Sequence, residues 1–344
     1  MGCSASIGHY AQATDPEFDR GFVILLLGTA NCGKTTLLKQ MKIIHKNGFL
    51  DEERREYSLL IKNNILESML TIVDIIMLDS ELCFKDTINE DSATQLKHML
   101  NRPVDQIDIL ANLSIVETLL NDPAVEQCMF THRSSIPNFE AVSYFFNEIE
   151  RICSDDFIPN NDDILHTRLS TTGVNEVNFD FGSQKLTLVD VGGQKTQRDK
   201  WARCFDGVHC LIFCVSLDDY VRNSKDNPNM TALDESLEVF EKIVNNNWFK
   251  SKEILIFLNK KDIFENTLNR HPLSRYFADF DGNSESFDDS YKYIMALYLA
   301  RNENVERNLY IHATCAVDTR NVELVFCVAM DSVLKQGAQQ FGLF

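Results

Sequence analysis

The stretch GTANCGKTT, residues 28–36, has the spacing of a phosphate-binding loop. In such a loop the backbone N–H groups point inward at the phosphates, and the following helix adds the positive end of its dipole. Lys34 would reach the β- and γ-phosphates of a nucleotide, and the hydroxyl of Thr35 would bind Mg²⁺. The residues that we expect to hold the nucleotide here are Gly28, Asn31, Cys32, Gly33, Lys34, Thr35 and Thr36.

A second motif, LTLVDVGGQ at residues 186–194, ends an apolar strand with an acidic side chain. Asp190 is placed to hold Mg²⁺ through water, as a Walker-B carboxylate does. Gly192 and Gly193 carry no Cβ and allow the backbone to approach a terminal phosphate closely. Gln194 follows and can orient an attacking water, so we expect Gly193 to contact the nucleotide and Gln194 to act in catalysis.

The motif FLNKKD, residues 257–262, indicates which base is bound. The Asp262 carboxylate can accept hydrogen bonds from both N1–H and the exocyclic amino group of guanine, a pairing that adenine does not offer. Asn259 ends the strand, and the stem of Lys260 can lie along the base. The backbone N–H of Ala316, in the loop after LYIHA, would meet the guanine O6. These residues therefore predict GTP rather than ATP as the ligand.

The motifs must be positioned by strands, because apolar runs of strand length precede them. Such runs predict strands at 22–27, 174–181, 185–190, 209–216, 253–260 and 309–314. Continuous apolar strands that alternate with helices indicate a largely parallel sheet covered on both faces. From about residue 51 to residue 162 the periodicity is helical, with long amphipathic helices predicted over 57–78 and 141–152. The predicted architecture is a doubly wound α/β fold, with a mostly parallel six-stranded sheet and an inserted all-α domain.

Acidic residues dominate the composition and exclude some partners. The 344 residues include 51 Asp and Glu against 33 Lys and Arg, which gives a formal net charge of -18. Such a surface repels nucleic acid, so no nucleic-acid partner is expected. The ten cysteines include no Cys-x-x-Cys pair, which disfavours a zinc site or a disulfide framework and fits a reducing compartment. The sequence also shows no apolar run long enough to cross a membrane.

The start of the chain, MGCSAS, matches the pattern for N-myristoylation, with Gly2 as the acceptor. One acyl chain holds a protein weakly on a membrane, and stable anchoring needs a second signal. Arg20 is the only fixed cation before residue 22, so a polybasic second signal is missing. Cys3 is therefore expected to be palmitoylated, and the chain to be anchored through both acyl groups.

The ordered set GTANCGKT, TRLSTTG, DVGGQ, NKKD and TCAVDT resembles the motifs of heterotrimeric G-protein α subunits over nearly the whole chain. The resemblance implies a P-loop GTPase that uses Mg²⁺, hydrolyses GTP to GDP, and couples a seven-helix receptor to an effector at the cytoplasmic face of the plasma membrane. It divides the chain into a lipidated segment at 1–21, a Ras-like GTPase domain at 22–50 and 166–344, and a helical domain at 51–165. The helical domain would cover the nucleotide and slow its release.

The resemblance also assigns roles around the first switch, HTRLSTTGV at residues 166–174. Arg168 would be an arginine finger supplied in cis, and Thr171 would bind both the nucleotide and Mg²⁺ once GTP is present. Leu165, just before this segment, is implied to contact the nucleotide. His166 stands where relatives use an Arg.

The second switch would be VGGQKTQRDKWARCF, in which an Arg of the switch pairs with a Glu of the next switch helix in the GTP state. Arg198 and Glu235 occupy the matching places. Lys200, Trp201 and Cys204 match positions that meet Gβγ in relatives. The receptor would contact the C-terminal helix, about residues 322–344, whose last residues resemble the inhibitory class. Phe341 stands where that class has the Cys modified by pertussis toxin, so that modification is not expected.

The phosphate loop departs from the family, which reads Gly-Glu-Ser where this chain has Ala30, Asn31 and Cys32. A Cβ at Ala30 takes up space near the expected places of Gln194 and Arg168, so we expect a slow GTPase. The segment before the loop is shorter than in typical members, which leaves Gβγ affinity in doubt. Two alternatives stay open: a GTP-binding module with little or no turnover, and an ATP-dependent P-loop enzyme.

Overall fold

The computed structural model describes residues 21–100, 109–136, 139–169, 171–224, 227 and 229–340. The described chain divides into two compact units. The helical unit is Phe49–Arg168, and the sheet unit comprises the residues up to Gly48 and those from Leu169 onward. Among the described residues, no helix is both long enough and apolar enough to span a membrane.

The sheet unit contains a six-stranded sheet in the order β2-β3-β1-β4-β5-β6. Only the β2–β3 pair is antiparallel, and the other four pairs are parallel. The carboxyl ends of β1, β3, β4, β5 and β6 therefore meet at one edge, where such sheets bind ligands. The strands are β1 (Phe22–Leu27), β2 (Val174–Phe181), β3 (Gln184–Val191), β4 (Cys210–Ser216), β5 (Glu253–Asn259) and β6 (Leu309–Ala313).

Helices cover the sheet and build the helical unit. The α-helices are α1 (Lys34–His45), α2 (Asp51–Leu78), α3 (Thr87–Leu100), α4 (Ile109–Leu120), α5 (Pro123–Thr131), α6 (Phe139–Asn147), α7 (Ile149–Ile152), α8 (Asn161–His166), α9 (Lys195–Arg198), α10 (Ala232–Val244), α11 (Lys261–Leu268), α12 (Phe287–Leu299) and α13 (Thr319–Gln340). Short 3₁₀ helices lie at Arg133–Ser135, Trp201–Cys204, Leu217–Val221, Asn247–Phe249 and Leu273–Arg275.

The sheet has a buried core on each face, because successive strand residues point to opposite sides. On one face, Leu25 packs in a cluster with Phe213 and Phe240. On the other face, Leu26 packs in a cluster with Met41 from α1 and Phe326 from α13. Burial on both faces explains why these strands read as continuous apolar runs in the sequence, and the predicted α/β fold is confirmed.

The helical unit has its own core, built around α2, but one predicted helix is broken. The single helix predicted over 141–152 is split at Glu148, whose backbone (φ -104°, ψ 12°) lies outside the helix. After the break, Arg151 donates to both carboxylate oxygens of Asp163, at 2.9 and 2.7 Å, and Tyr144 donates to Asp163 at 2.9 Å. A buried carboxylate needs such partners. The apolar periodicity of residues 141–152 could not predict this contact, because Asp163 lies in a different helix, α8.

Candidate functional site

The loop between β1 and α1 turns through three residues with left-handed backbone: Gly28 (φ 141°), Asn31 (φ 64°) and Gly33 (φ 103°). A Cβ at Gly33 would lie 2.1 Å from Asn259 Nδ2, so the loop is pressed against the end of β5. Asn is among the few side chains that adopt the left-handed region readily. Ala30 is half-buried and is not among the described residues with positive φ, so its backbone carries no such strain.

The Lys34 ammonium is held inside this loop. Its Nζ donates to the carbonyl oxygens of Gly28 at 3.0 Å and Thr29 at 2.8 Å, and the residue is buried. A Cβ at Gly193 would lie 2.5 Å from the same Nζ. The loop, Lys34 and the DVGGQ turn are therefore brought to one point, as the motifs predicted for a terminal phosphate.

A pair of thiols lies beside Lys34, and the motifs did not reveal it. The Cys214 thiol donates to the buried Cys32 sulfur, which also lies 3.5 Å from Lys34 Nζ. Burial alone would raise the pKa of Cys32, but the hydrogen bond from Cys214 and the charge of Lys34 lower it to about 6. The same bond, together with burial, raises the pKa of Cys214. The loop thus contains a thiolate-stabilising environment, and its one sequence signal is a Cys at position 32.

Three oxygen-bearing side chains converge next to Lys34. The Oγ1 atoms of Thr35 and Thr171 lie 2.7 Å apart, and they approach Asp190 Oδ2 to 2.7 and 3.4 Å respectively. Asp190 is fully buried, and its other oxygen, Oδ1, has no hydrogen-bond partner within the described part of the chain. Burial raises the pKa of Asp190, although Lys34 and the two threonine hydroxyls act in the opposite direction.

This donor set fits Mg²⁺. Hard divalent cations prefer oxygen ligands, and here two hydroxyls and an incompletely satisfied carboxylate share one position. No cluster of three His, Cys, Asp or Glu suited to a metal occurs in the residues that the structure describes. Any Mg²⁺ would therefore need phosphate and water oxygens in addition to Thr35, Thr171 and Asp190.

At the other end of the site, Asn259 joins three segments. Its Nδ2 donates to the Cys32 carbonyl at 2.9 Å, and its Oδ1 accepts from Ala316 N–H at 2.9 Å and from Thr314 Oγ1 at 3.2 Å. The Ala316 N–H is predicted to face a guanine oxygen. In this structure it donates to the Asn259 side-chain oxygen instead. Asp262 is exposed in the first turn of α11, open to a base edge.

The segment after the DVGGQ turn is fixed by an ion pair. Arg198 Nη2 donates to Glu235 Oε1, and its Nε donates to the Gly193 carbonyl at 2.9 Å. Ser224 Oγ donates to the other oxygen of Glu235 at 2.6 Å. Burial raises the pKa of Glu235, but these bonds and the charge of Arg198 hold it below its usual value. The predicted Arg198–Glu235 pair is present and reaches the glycine turn directly.

The side chain of Trp201 anchors the same segment from the other direction. Trp201 is buried and its Nε1 donates to the Gly192 carbonyl at 2.8 Å. Lys200 is exposed and donates to Gln197 Oε1 at 3.0 Å. Gln194 is exposed at the start of α9, where its side chain is available to a water or a ligand.

The family model of the G-protein alpha subunit matches residues 3–333. This chain belongs to the G-protein alpha subunit family. It is accordingly a guanine-nucleotide-binding α subunit of G-protein signalling, from a family of GTPases that bind GTP and GDP, typically with Mg²⁺.

In this α subunit, two of the predicted site residues lie in the helical unit. Leu165 is buried at the end of α8, and Arg168 is exposed, with its backbone N–H donating to Asn64 Oδ1 at 2.9 Å. His166, where relatives have an Arg, stacks on Tyr144 with ring centroids 4.0 Å apart. The roles of Leu165 and Arg168 toward the nucleotide stay predictions.

The predicted lipidation sites, Gly2 and Cys3, lie outside the described residues. The same holds for Phe341 and the rest of the C-terminal FGLF. The backbone of the proposed receptor helix is described to Gln340, as part of α13.

Proposed function

We propose that this α subunit is a lipid-anchored switch that binds GTP with Mg²⁺, hydrolyses it slowly, and couples a seven-helix receptor to an effector. The observation that carries the proposal is the convergence of Thr35, Thr171 and Asp190 beside Lys34. An oxygen cluster next to a buried ammonium suits a metal-bound triphosphate. The docked Arg198–Glu235 pair supports assigning this arrangement to the GTP form.

The nucleotide would lie along the carboxyl edge of the sheet. The loop N–H groups and Lys34 bind the phosphates, and Asp262 reads the guanine edge. Thr35, Thr171 and Asp190 are the residues that would hold Mg²⁺. When bound, Mg²⁺ neutralises charge on the β- and γ-phosphates.

Hydrolysis would depend on two side chains outside the phosphate loop. Gln194 orients the attacking water, and Arg168 stabilises charge on the transferring phosphoryl group. Positioning supplies nearly all of this catalysis, so displacement by about 1 Å can cost on the order of a hundredfold in rate. In this proposal the Cβ of Ala30 would cause such a displacement. Asn31 lacks the carboxylate that relatives can pair with the switch Arg when GDP is bound.

Single-turnover phosphate release from preloaded GTP tests the proposal. We expect slow release by the natural chain, acceleration by Ala30→Gly, and near-complete loss with Gln194→Leu or Arg168→Cys. Unchanged rates in Ala30→Gly would show that the loop works as it stands. The second candidate is a GTP-binding module with little turnover, which the substituted loop also favours. It predicts tight GTP binding with no release above the Gln194→Leu background.

The partners follow from the same surfaces. Burial of Trp201 in the docked segment supports competition between the GTP form and Gβγ, because relatives present this position to Gβγ. Lys200 and Cys204 would complete that contact. The C-terminal helix would meet the receptor, and acyl chains on Gly2 and Cys3 would hold the protein at the cytoplasmic face of the plasma membrane.

A further inference from the structure

A buried carboxylate near the base end of the site has no part in the family motifs. Asp218 is 1% exposed and lies in the 3₁₀ helix that follows β4. Its Oδ1 is 3.5 Å from Lys260 Nζ, and its Oδ2 is 2.5 Å from Arg222 Nη2. Ser216 Oγ also donates to it. A buried charge is tolerated only when it is paired and hydrogen-bonded, so these contacts define where the cations must lie.

Burial raises the pKa of Asp218, but Lys260, Arg222 and the Ser216 hydroxyl together hold it below its usual range. The carboxylate is thus ionised in the fold. Its neighbour Asp219 has no such ion pair with any residue in the described part of the chain, and its pKa is raised by burial and by Asp218. The Asp218 carboxylate therefore carries a negative charge that both Lys260 and Arg222 face.

The backbone brings Lys260 to this carboxylate. Ser216 and Asn259 are paired across the ends of β4 and β5, so Asp218 and Lys260 follow adjacent strand ends. Lys260 adopts a left-handed conformation (φ 63°, ψ 40°) immediately before α11. This region is costly for a side chain with a Cβ, and such strain persists where surrounding contacts impose it. With this backbone, the Lys260 ammonium lies 3.5 Å from Asp218 Oδ1.

We propose that Asp218 is a positioning residue for guanine-nucleotide binding, which fixes the Lys260 ammonium so that the lysine stem lies across the face of the base. A free lysine side chain loses considerable rotamer entropy when it is immobilised. An ammonium already anchored has lost it before the nucleotide arrives, which strengthens binding by preorganisation. The inference rests on the guanine site of the proposed function.

The geometry separates two kinds of recognition. Asp262 reads the base edge, where guanine and hypoxanthine differ by an amino group. The stem of Lys260 meets the base face, which the two purines share. Loss of Asp218 should therefore weaken both nucleotides by the same factor, whereas loss of Asp262 should change their ratio.

The experiment measures dissociation of fluorescently labelled GDP and IDP from the full chain with Mg²⁺ present. We expect Asp218→Asn to release both nucleotides about tenfold faster and to leave their ratio unchanged. Asp262→Asn should instead reduce the preference for GDP over IDP. Glu241→Gln is the control, since it breaks a solvent-exposed ion pair with Arg301, and it should change release by less than about twofold.

A double-mutant cycle distinguishes positioning from a loss of stability. In a Lys260→Met background, which keeps an unbranched stem without the charge, Asp218→Asn should have no further effect on release. Additive effects, or equal weakening by Glu241→Gln, would overturn the proposal. Thermal unfolding verifies that each variant folds, and Asp218→Ser takes the place of Asp218→Asn if the amide variant does not. A natural chain that fails to bind GDP would contradict the proposed function itself, whereas normal release by the Asp218 variants contradicts only this inference.

Discussion

The phosphate end and the base end of the site differ in how far the protein satisfies its own polar groups. At the phosphate end, Asp190 keeps one buried oxygen without a hydrogen-bond partner in the described chain, and two threonine hydroxyls crowd the other. At the base end, Asn259 uses both of its polar atoms within the protein. The comparison teaches that polar groups at the phosphate end are left for a ligand to bind, whereas the hydrogen bonds of the base end are already formed within the protein.

The largest expected effect comes from removing an oxygen at the phosphate end. Thr35→Ala should lower the Mg²⁺-dependent part of nucleotide affinity by roughly a hundredfold, because even outer partners of metal ligands cost about 10- to 100-fold. The measurement is GTP-analogue affinity with Mg²⁺ and with EDTA. The EDTA values of the natural chain and the variant should agree, since the base end is untouched. A similar loss in EDTA would mean that the two ends are not separable.

A smaller effect should come from the ion pair that holds the glycine turn. Arg198 and Glu235 are only 15% and 14% exposed, so loss of the pair should weaken docking by about 1–2 kcal/mol, or roughly tenfold. Glu235→Gln should therefore reduce the fluorescence change of Trp201 on binding a GTP analogue with Mg²⁺. The chain has two tryptophans, so the measurement uses a Trp248→Phe background.

The matched control for that variant lies on the same helix. Glu241 pairs with Arg301 at the surface, with the two side chains 47% and 36% exposed. Because exposed pairs contribute little, Glu241→Gln should leave the fluorescence change intact. Equal effects of the two substitutions would show that the Arg198–Glu235 pair does not hold the glycine turn at the phosphate end.

The smallest effect concerns the base end and depends on pH. Burial and the charge of Asp218 raise the pKa of Asp219 to about 7, with Lys260 and Arg222 opposing. In the unfolded chain the pKa of this carboxyl is about 4. Because its pKa is higher in the folded chain, it favours folding fully below about pH 4, and this contribution is lost as the pH rises through about 7. Asp219→Asn cannot ionise, so the variant should gain at least about 1 kcal/mol relative to the natural chain between pH 5 and pH 8.

Thermal unfolding of both chains at pH 5 and pH 8 measures this gain. The relevant quantity is the difference between variant and natural chain, because other carboxyl groups titrate alike in both. A difference that does not change with pH would show that Asp219 is ionised throughout and that the base end is less tightly closed than its burial indicates.

The sequence predicted the sheet and the positions of the motifs because both are local. Apolar runs mark strands buried on two faces, and fixed spacing marks the loop that joins β1 to α1. The pairing of Arg198 with Glu235 was accessible only through the family resemblance. The break at Glu148 was missed, since the apolar periodicity continues through this residue and does not mark it. The contact of Arg151 with Asp163 was missed because Asp163 belongs to a later helix.

Other parts of the site lie beyond what a linear pattern can report. Asp218 approaches Lys260 through the register of β4 against β5, over a long sequence separation. The contact of Cys32 with Cys214 likewise joins a loop to the end of a distant strand. The hydrogen bond from the Ala316 N–H to Asn259 was not foreseen for the same reason, because the two residues belong to different segments. The contact of this N–H with the guanine oxygen stays a prediction.

The three bonds of Asn259 also bear on how this position can evolve. It needs a donor and an acceptor on one short side chain, at 2.9 Å from both the Cys32 carbonyl and the Ala316 N–H. Asp lacks the donor, Gln is longer by one methylene, and Ser offers a single atom. Each of these three substitutions would therefore break a hydrogen bond that joins the phosphate loop to the base loop. We expect Asn259 to change in evolution only together with changes in both loops.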